Sequence, residues 1–379
     1  MQRIWCLAIL VTGVSFAQPA TREPDFSAIP FDDWIKSRND WKLHWTLLAS
    51  QPNLDSMQRL QVSFTARVDV AGIRSEYSRG RFVILWQIRA TDGFKYRKRS
   101  PVFLNERSNL AAIEQVKFGQ SVCVNPGAYE IAAAVYDTAT KRHNLKRIRL
   151  RVSGIPRDPF RDRWSSVPEI ESVWECRPLS IPLMTKQPVR MEWIATRNTG
   201  GRLRVLSAMR PASGTMAATL IDMDHRVART TEIDGNTNSL RSLWTGLPYT
   251  NRFTVDVKAM DRDRQNARFF VSEIEKRLNA PFTEPARWIV ILSDPRNFPK
   301  GEDLSPIETP RPDRTRVIYI RTYSAQNALV ADRLTKTLQP LHPRVIEVTT
   351  PLSFRHALGE IVKQVSQPAI EPAGPHRDH

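Results

Sequence analysis

The sequence predicts a two-domain α+β protein, with an antiparallel β-sandwich first and an α/β unit of the Rossmann type after it. Three observations carry that prediction. From Leu60 to Val152 the apolar residues recur at period two, the mark of half-buried strands. From Val189 to Val365 short apolar runs alternate with stretches of helical period, as in a largely parallel sheet flanked by helices. Between the two, Ser153–Pro188 holds six prolines.

At the start of the chain, residues 1–17 read as a cleavable signal peptide. Arg3 precedes an apolar core from Ile4 to Phe16, and Ser15-Phe16-Ala17 places small residues at −3 and −1 before Gln18. A spanning helix needs about 20 apolar residues, and Thr12, Gly13 and Ser15 interrupt this one. No other stretch reaches that length, so an extracytoplasmic protein with no transmembrane span in the mature chain is expected.

Residues 18–30 are Pro-rich and polar, a linker. Trp34, Trp41, Trp45 and Leu48 recur at spacings of seven, four and three, which predicts a helix over Pro30–Ser50 with an aromatic face turned to the core. That helix and the sandwich make up 31–153. Strands are expected at Leu60–Val68, Arg81–Ile88, Gln115–Val124, Tyr129–Tyr136 and Leu145–Val152, separated by turns such as Asp92-Gly93 and Asn125-Pro126-Gly127. The run Pro126-Gly127-Ala128-Tyr129-Glu130-Ile131, leading to Val135-Tyr136-Asp137, resembles the late hairpin of immunoglobulin-like modules.

Residues 154–188 read as a Pro-rich inter-domain connection, with Trp164 and Trp174 draping it on a domain. In 189–366, strands are expected at Val189–Ala195, Arg202–Ala208, Ala217–Asp222, Asn251–Ala259, Arg287–Leu292, Arg316–Ile320 and Arg344–Val348. Helices are expected at Asp261–Leu278, Ala325–Leu338 and Leu352–Val365. Residues 367–379 read as a disordered tail.

The chain has 379 residues and a net charge of +17; 43 of its 56 basic residues are arginine. Basic density peaks from Lys141 to Arg163, but on the polar alternation of a strand and without interleaved aromatics. The pattern describes a solvated face rather than a stacking platform, so no specific nucleic-acid partner is expected. Attraction to anionic envelope components is expected instead.

Cys123 and Cys176 remain after cleavage. In an oxidising compartment they can pair as a disulfide; as separate thiols they would pack as small apolar side chains. Asp222-Met223-Asp224-His225 at a strand end offers Asp222 and Asp224 either as an Asp-x-Asp metal site or as ordinary turn carboxylates. No Gly-x-Ser-x-Gly, His-Glu-x-x-His, Gly-x-x-x-x-Gly-Lys or Gly-x-Gly-x-x-Gly pattern is present, so no catalytic residue is assigned.

The segment Trp288-Ile289-Val290-Ile291-Leu292-Ser293-Asp294, with the strands and helices after it, resembles the von Willebrand factor A fold of secreted bacterial proteins. That resemblance implies a partner-binding domain whose metal sits at the carboxyl end of the sheet, held by an Asp-x-Ser-x-Ser motif on the first strand. Here only Asp294 falls on a motif position. The first strand ends Thr196-Arg197-Asn198, and Pro295 follows the aspartate where the family has glycine. No cofactor is therefore expected, Mg²⁺ included. The function expected is non-catalytic protein–protein interaction or adhesion in the envelope or medium; a secreted hydrolase acting on a polymer is the alternative.

Overall fold

A computed structural model describes residues 29–37, 39–73, 82–101, 115–196, 200–222, 227–233, 259–295, 298, 304–323 and 332–367. The residues expected as signal peptide and as tail, Arg197, Asn198, Asp224, residues 325–331 of the expected helix and the strand expected over Asn251–Ala259 lie outside these, apart from Ala259 and Gln367.

The sandwich is built from β1 (Trp45–Ala49), β2 (Asn53–Leu54), β3 (Leu60–Asp69), β4 (Phe82–Ala90), β5 (Lys95–Pro101), β6 (Gln115–Val124), β7 (Gly127–Asp137), β8 (His143–Val152) and β9 (Ile170–Ser172). Its logic is plainest in β3, where Leu60, Val62, Phe64, Ala66 and Val68 point inward and the residues between them do not. One sheet runs β1-β3-β6-β9 with β2 paired to β3; the other runs β5-β4-β7-β8, and every pairing in both is antiparallel. Val62 and Phe64 of one sheet share a core with Ile84, Trp86, Ile131 and Ala133 of the other, so the two pack face to face.

The helix expected over Pro30–Ser50 is corrected by the structure. Only Phe31–Trp34 (α1) is helical, and Trp45–Ala49 is strand. Trp41, Leu43, Trp45 and Leu47 are buried while Lys42, His44, Thr46 and Leu48 are exposed, which is strand alternation, and it overrides the helical spacing of three tryptophans. α1 instead packs Phe31 and Trp34 on the outer face of the second sheet, against Val83, Leu85, Ala132 and Ala134. Trp34 stacks on His143 with centroids 4.2 Å apart. Burial on both sides explains the unbroken apolar run Phe82–Trp86 in β4.

The stretch 154–188 does more than connect. Phe160, Trp164, Val167 and Ile170 are buried in the sandwich core, and Ile170–Ser172 pairs with β6. Further on, β10 (Ile181–Leu183) pairs in parallel with β12 (Met209–Pro211). The prolines remove backbone donors, but the apolar residues between them still drive burial.

The six-stranded sheet consists of β11 (Val189–Thr196), β13 (Gly214–Asp222), β14 (Val227–Ile233), β15 (Ala286–Ser293), β16 (Thr315–Thr322) and β17 (Arg344–Val348). Its order is β14-β13-β11-β15-β16-β17, parallel throughout except between β13 and β14. Helices α2 (Gly200–Ala208), α3 (Ala259–Asn279), α4 (Arg333–Leu338) and α5 (Pro351–Ser366) accompany it. Phe354, Leu358 and Ile361 of α5 join Trp193, Val290 and Ile318 on one face. Phe270, Ile274 and Leu278 of α3 and Leu334 of α4 join Ile194, Ile289 and Tyr319 on the other. Both faces being covered, these strands read as continuous apolar runs.

Arg202–Ala208, expected as a strand, is helix α2, with Leu203, Val205 and Leu206 buried. The chain passes from β11 to its parallel neighbour β13, and parallel neighbours need a crossover, which this helix supplies. Where the crossover returns, Gly214 adopts φ +108° against the Val189 backbone, leaving no room for a Cβ.

The two units share one apolar core, which runs from the sandwich through Leu179, Ile181 and Leu183 to Met191 and Phe354. Polar contacts also cross between them. Gln58 Nε2 donates to the Pro351 carbonyl at 3.0 Å, and Arg355 donates to the carboxylate of Asp158.

Candidate functional site

In an open α/β sheet the crevice lies beyond the carboxyl ends of the strands, where the strand order reverses. Here β11, first in the chain, lies between β13 and β15, which makes the reversal fall between β11 and β15. Thr196 closes β11, Ser293 and Asp294 close β15, and Thr322 closes β16; all four are buried. The Thr322 hydroxyl donates to the Ser293 carbonyl at 3.2 Å, locking β16 to β15 at this end.

Arg202, from the first turn of α2, brings a positive charge to Asp294. Burial pulls its guanidinium below the usual arginine range, and the Asp294 carboxylate opposes that pull. The guanidinium also lies 5.9 Å from the centre of the Phe354 ring. One strand further, Arg321 pairs with Asp332 at 3.3 Å and with Glu347. Tyr319 donates its hydroxyl to Asp332 at 3.4 Å, and burial followed by the Asp332 charge raises the phenol well above its ordinary range. Asp332 also caps α4 through the Thr335 amide and hydroxyl.

These residues do not fit the divalent cation that the resemblance implies. Asp294 is the one described carboxylate on a family position, and the Arg202 guanidinium charge already acts on it. Mg²⁺ demands several oxygen ligands in near-octahedral array. Asp222 ends β13 opposite Val227, away from the β11–β15 reversal, and Asp224 lies outside the described residues. Among the described residues one group has metal-type donors close together, namely Asp55, Cys123 and Cys176. There the two cysteines form a disulfide with Cα atoms 6.1 Å apart. Burial raises the Asp55 carboxyl, opposed by the backbone N–H groups of Arg59 and Met57, so Asp55 serves the turn before β3.

Reasoning from the sequence missed Arg202 by placing it on a strand. The Gly200-Gly201 pair just before it was the available helix-start signal. It also missed Arg321 and Asp332, which no motif marks. Chemically the arrangement presents a carboxylate held by an arginine beside hydroxyl groups, a set that accepts and donates hydrogen bonds.

No protein-family model matches the chain, and no curated protein matches it. Among solved structures it is similar to the chicken interferon gamma receptor alpha chain, at 9% identity and a TM-score of 0.20, covering 29% of this chain and 50% of that one. It is also similar to the PKD domain of the human VPS10 domain-containing receptor SorCS2, at 17% identity and a TM-score of 0.17, covering 31% of this chain and 78% of that one. The chain spans half the length of the interferon receptor chain it matches. Likeness at this level defines neither fold nor function.

Proposed function

We propose that the chain is an exported, non-catalytic binding protein that engages a protein partner in the envelope or medium. In this reading the C-terminal unit is a von Willebrand A-like domain that has lost its metal, and the sandwich is an immunoglobulin-like module beside it. The observation that carries the reading is the electrostatic interaction of Arg202 with buried Asp294 at the strand-order reversal, a side-chain cation charge where the family would place a metal. The disulfide supports export, because such bonds persist in oxidising compartments. A polymer hydrolase needs two convergent carboxylates. Three concavities along the sandwich are lined, among the described residues, by Asp158, by no acid and by Glu130, both acids being engaged by an arginine, and the hydrogen-bonded carboxylates Asp92 and Glu169 line none of them.

The test is capture of envelope proteins by the immobilised mature chain, with Mg²⁺ and with chelator, beside an assay for polymer degradation. A partner retained equally in chelator, and released by substitution of Arg202, supports the reading. Chelator-sensitive capture, or turnover of a polymer, overturns it.

A further inference from the structure

Four arginines of the sandwich, Arg149, Arg151, Arg157 and Arg161, are exposed and have no ion-pair partner among the described residues. They line three adjoining concavities. The first, about 550 Å³, has Arg149 and Arg151 on its wall; the second, about 590 Å³, shares Ala128 and Arg151 with it. The third, about 620 Å³, shares Pro126 and Gly154 with the second and is lined by Arg157 and Arg161. The result is one trough along the ends of β7 and β8.

The two acids that line that trough are already matched, and a carboxylate pair beside it, Asp92 with Glu169, shares a hydrogen bond. Glu130 accepts from Arg89 at 2.6 Å, and Asp158 is held by Arg355 at 2.6 and 2.8 Å. Arg157 takes a left-handed backbone conformation, φ 52°, which a non-glycine residue adopts at a cost. Arg149 and Arg151 lie on the same face of β8, about 7 Å apart by strand geometry. Unpaired guanidinium groups at that interval match a chain that repeats its negative charges. Arginine suits oxyanions in particular, because its planar fork donates two parallel hydrogen bonds.

We propose that this trough binds a linear, base-free polyanion. Its aromatic rings argue against a nucleic acid: Tyr129 and Trp164 line it but are buried, with Tyr129 donating to the Asn125 carbonyl and the Trp164 ring covered by Arg355 at 4.9 Å. Single-stranded nucleic acids are gripped by exposed rings on which bases stack, and none of the described residues lining this trough is one. The site lies on the sandwich and does not depend on the protein partner proposed above.

The experiment measures binding of the full chain to inorganic polyphosphate, polygalacturonate, triphosphate and single-stranded DNA of equal charge. The variant Arg149→Gln/Arg151→Gln/Arg157→Gln/Arg161→Gln is compared with a charge-matched control, Lys186→Gln/Arg268→Gln/Lys336→Gln/Lys363→Gln. At least one base-free polymer is expected to bind in a salt-dependent way, with triphosphate at least about tenfold weaker and the trough variant weakened at least about tenfold. The control variant is expected to keep most of the affinity, and whichever polymer binds identifies the oxyanion as phosphate or carboxylate. Equal loss in the control, no preference for the polymer over triphosphate, or DNA binding as tight as either polymer overturns the proposal. An unchanged circular dichroism spectrum and melting point in the trough variant exclude unfolding as the cause of its loss.

Discussion

Arg355 and Asp158, 197 residues apart in the chain, meet in a two-pronged pair with bonds of 2.6 and 2.8 Å. The pair fastens the last helix to the segment that leaves the sandwich. Asp158 also accepts from the Phe160 amide and from Trp164 Nε1, and Arg355 donates to the Gln58 carbonyl. Both side chains are almost completely buried, so neither charge can fall back on water.

Arg355→Ala is therefore expected to destabilise the protein by about 3–5 kcal/mol, because it strands a buried carboxylate. Replacing both residues with apolar ones of similar volume should cost less than the single change. Urea unfolding of the three variants measures this. Equal stability of Arg355→Ala and wild type would show that the units do not depend on each other here.

The same pair sets an acid limit. Burial pushes the Asp158 carboxyl up, but hydrogen bonds from Arg355, the Phe160 amide and Trp164 outweigh it and hold the group below its ordinary value of 3.8. With the folded value below the unfolded one, this stabilisation is present above 3.8 and is lost as pH falls through the folded value. Melting points taken from pH 5 downward should fall less steeply in Asp158→Asn than in wild type.

Glu169 and Asp92 make the opposite prediction. Burial and the neighbouring Asp92 carboxylate raise Glu169 to about 7. A folded value above the ordinary 4.5 means that the stabilisation is full below 4.5 and disappears as pH rises through about 7. Urea midpoints should therefore be higher at pH 5 than at pH 8. In Asp92→Asn that difference should shrink, since one carboxylate no longer repels the other. A difference of unchanged size in the variant would mean that the two groups do not share a proton.

Cys123 on β6 and Cys176 after β9 close a loop with a sequence separation of 53. By chain entropy, such a bridge stabilises the fold by about 4 kcal/mol. The double variant Cys123→Ala/Cys176→Ala should lose most of that in urea unfolding. Wild type in reductant should follow it, and a variant as stable as the oxidised protein would refute the estimate.

How much of this could be read beforehand depended on whether burial was one-sided. β3 has one wet face and declares itself by alternation, and α5 does so by its Phe354, Leu358 and Ile361 stripe. At Trp41–Leu47 two periods compete in the same residues. Large tryptophans at helical spacing outweighed the smaller Leu43 and Leu47 until the burial pattern separated them. The Pro-rich stretch hid β9 because three residues are too few for any period to register. At the candidate site Asp294 was legible because it ends an apolar strand. Arg202 was not, since its electrostatic interaction with Asp294 depends on a helix placed by the parallel β11–β13 crossover, a tertiary fact with no local trace. The basic run at Arg149–Arg161 was visible as charge, but only folding sorts the paired guanidinium groups from the unpaired ones.

The last prediction concerns the electrostatic interaction of Arg202 with Asp294. A guanidinium charge acting on a buried carboxylate offsets it without metal, so millimolar Mg²⁺ or Ca²⁺ should leave the melting point unchanged. A cation bound by the folded state alone would raise it through mass action. Arg202→Ala should cost about 1 kcal/mol, since a charge that opposes the buried Asp294 carboxylate is removed. Asp294→Ala should cost about 1 kcal/mol. The two residues act on each other, so the double variant should lose less than the sum, by about 0.5 kcal/mol or more. Strict additivity would place them in separate environments. If a divalent cation stabilises wild type and Asp294→Ala removes that gain, Asp294 is a working metal ligand. The reading in which arginine has replaced the metal then fails.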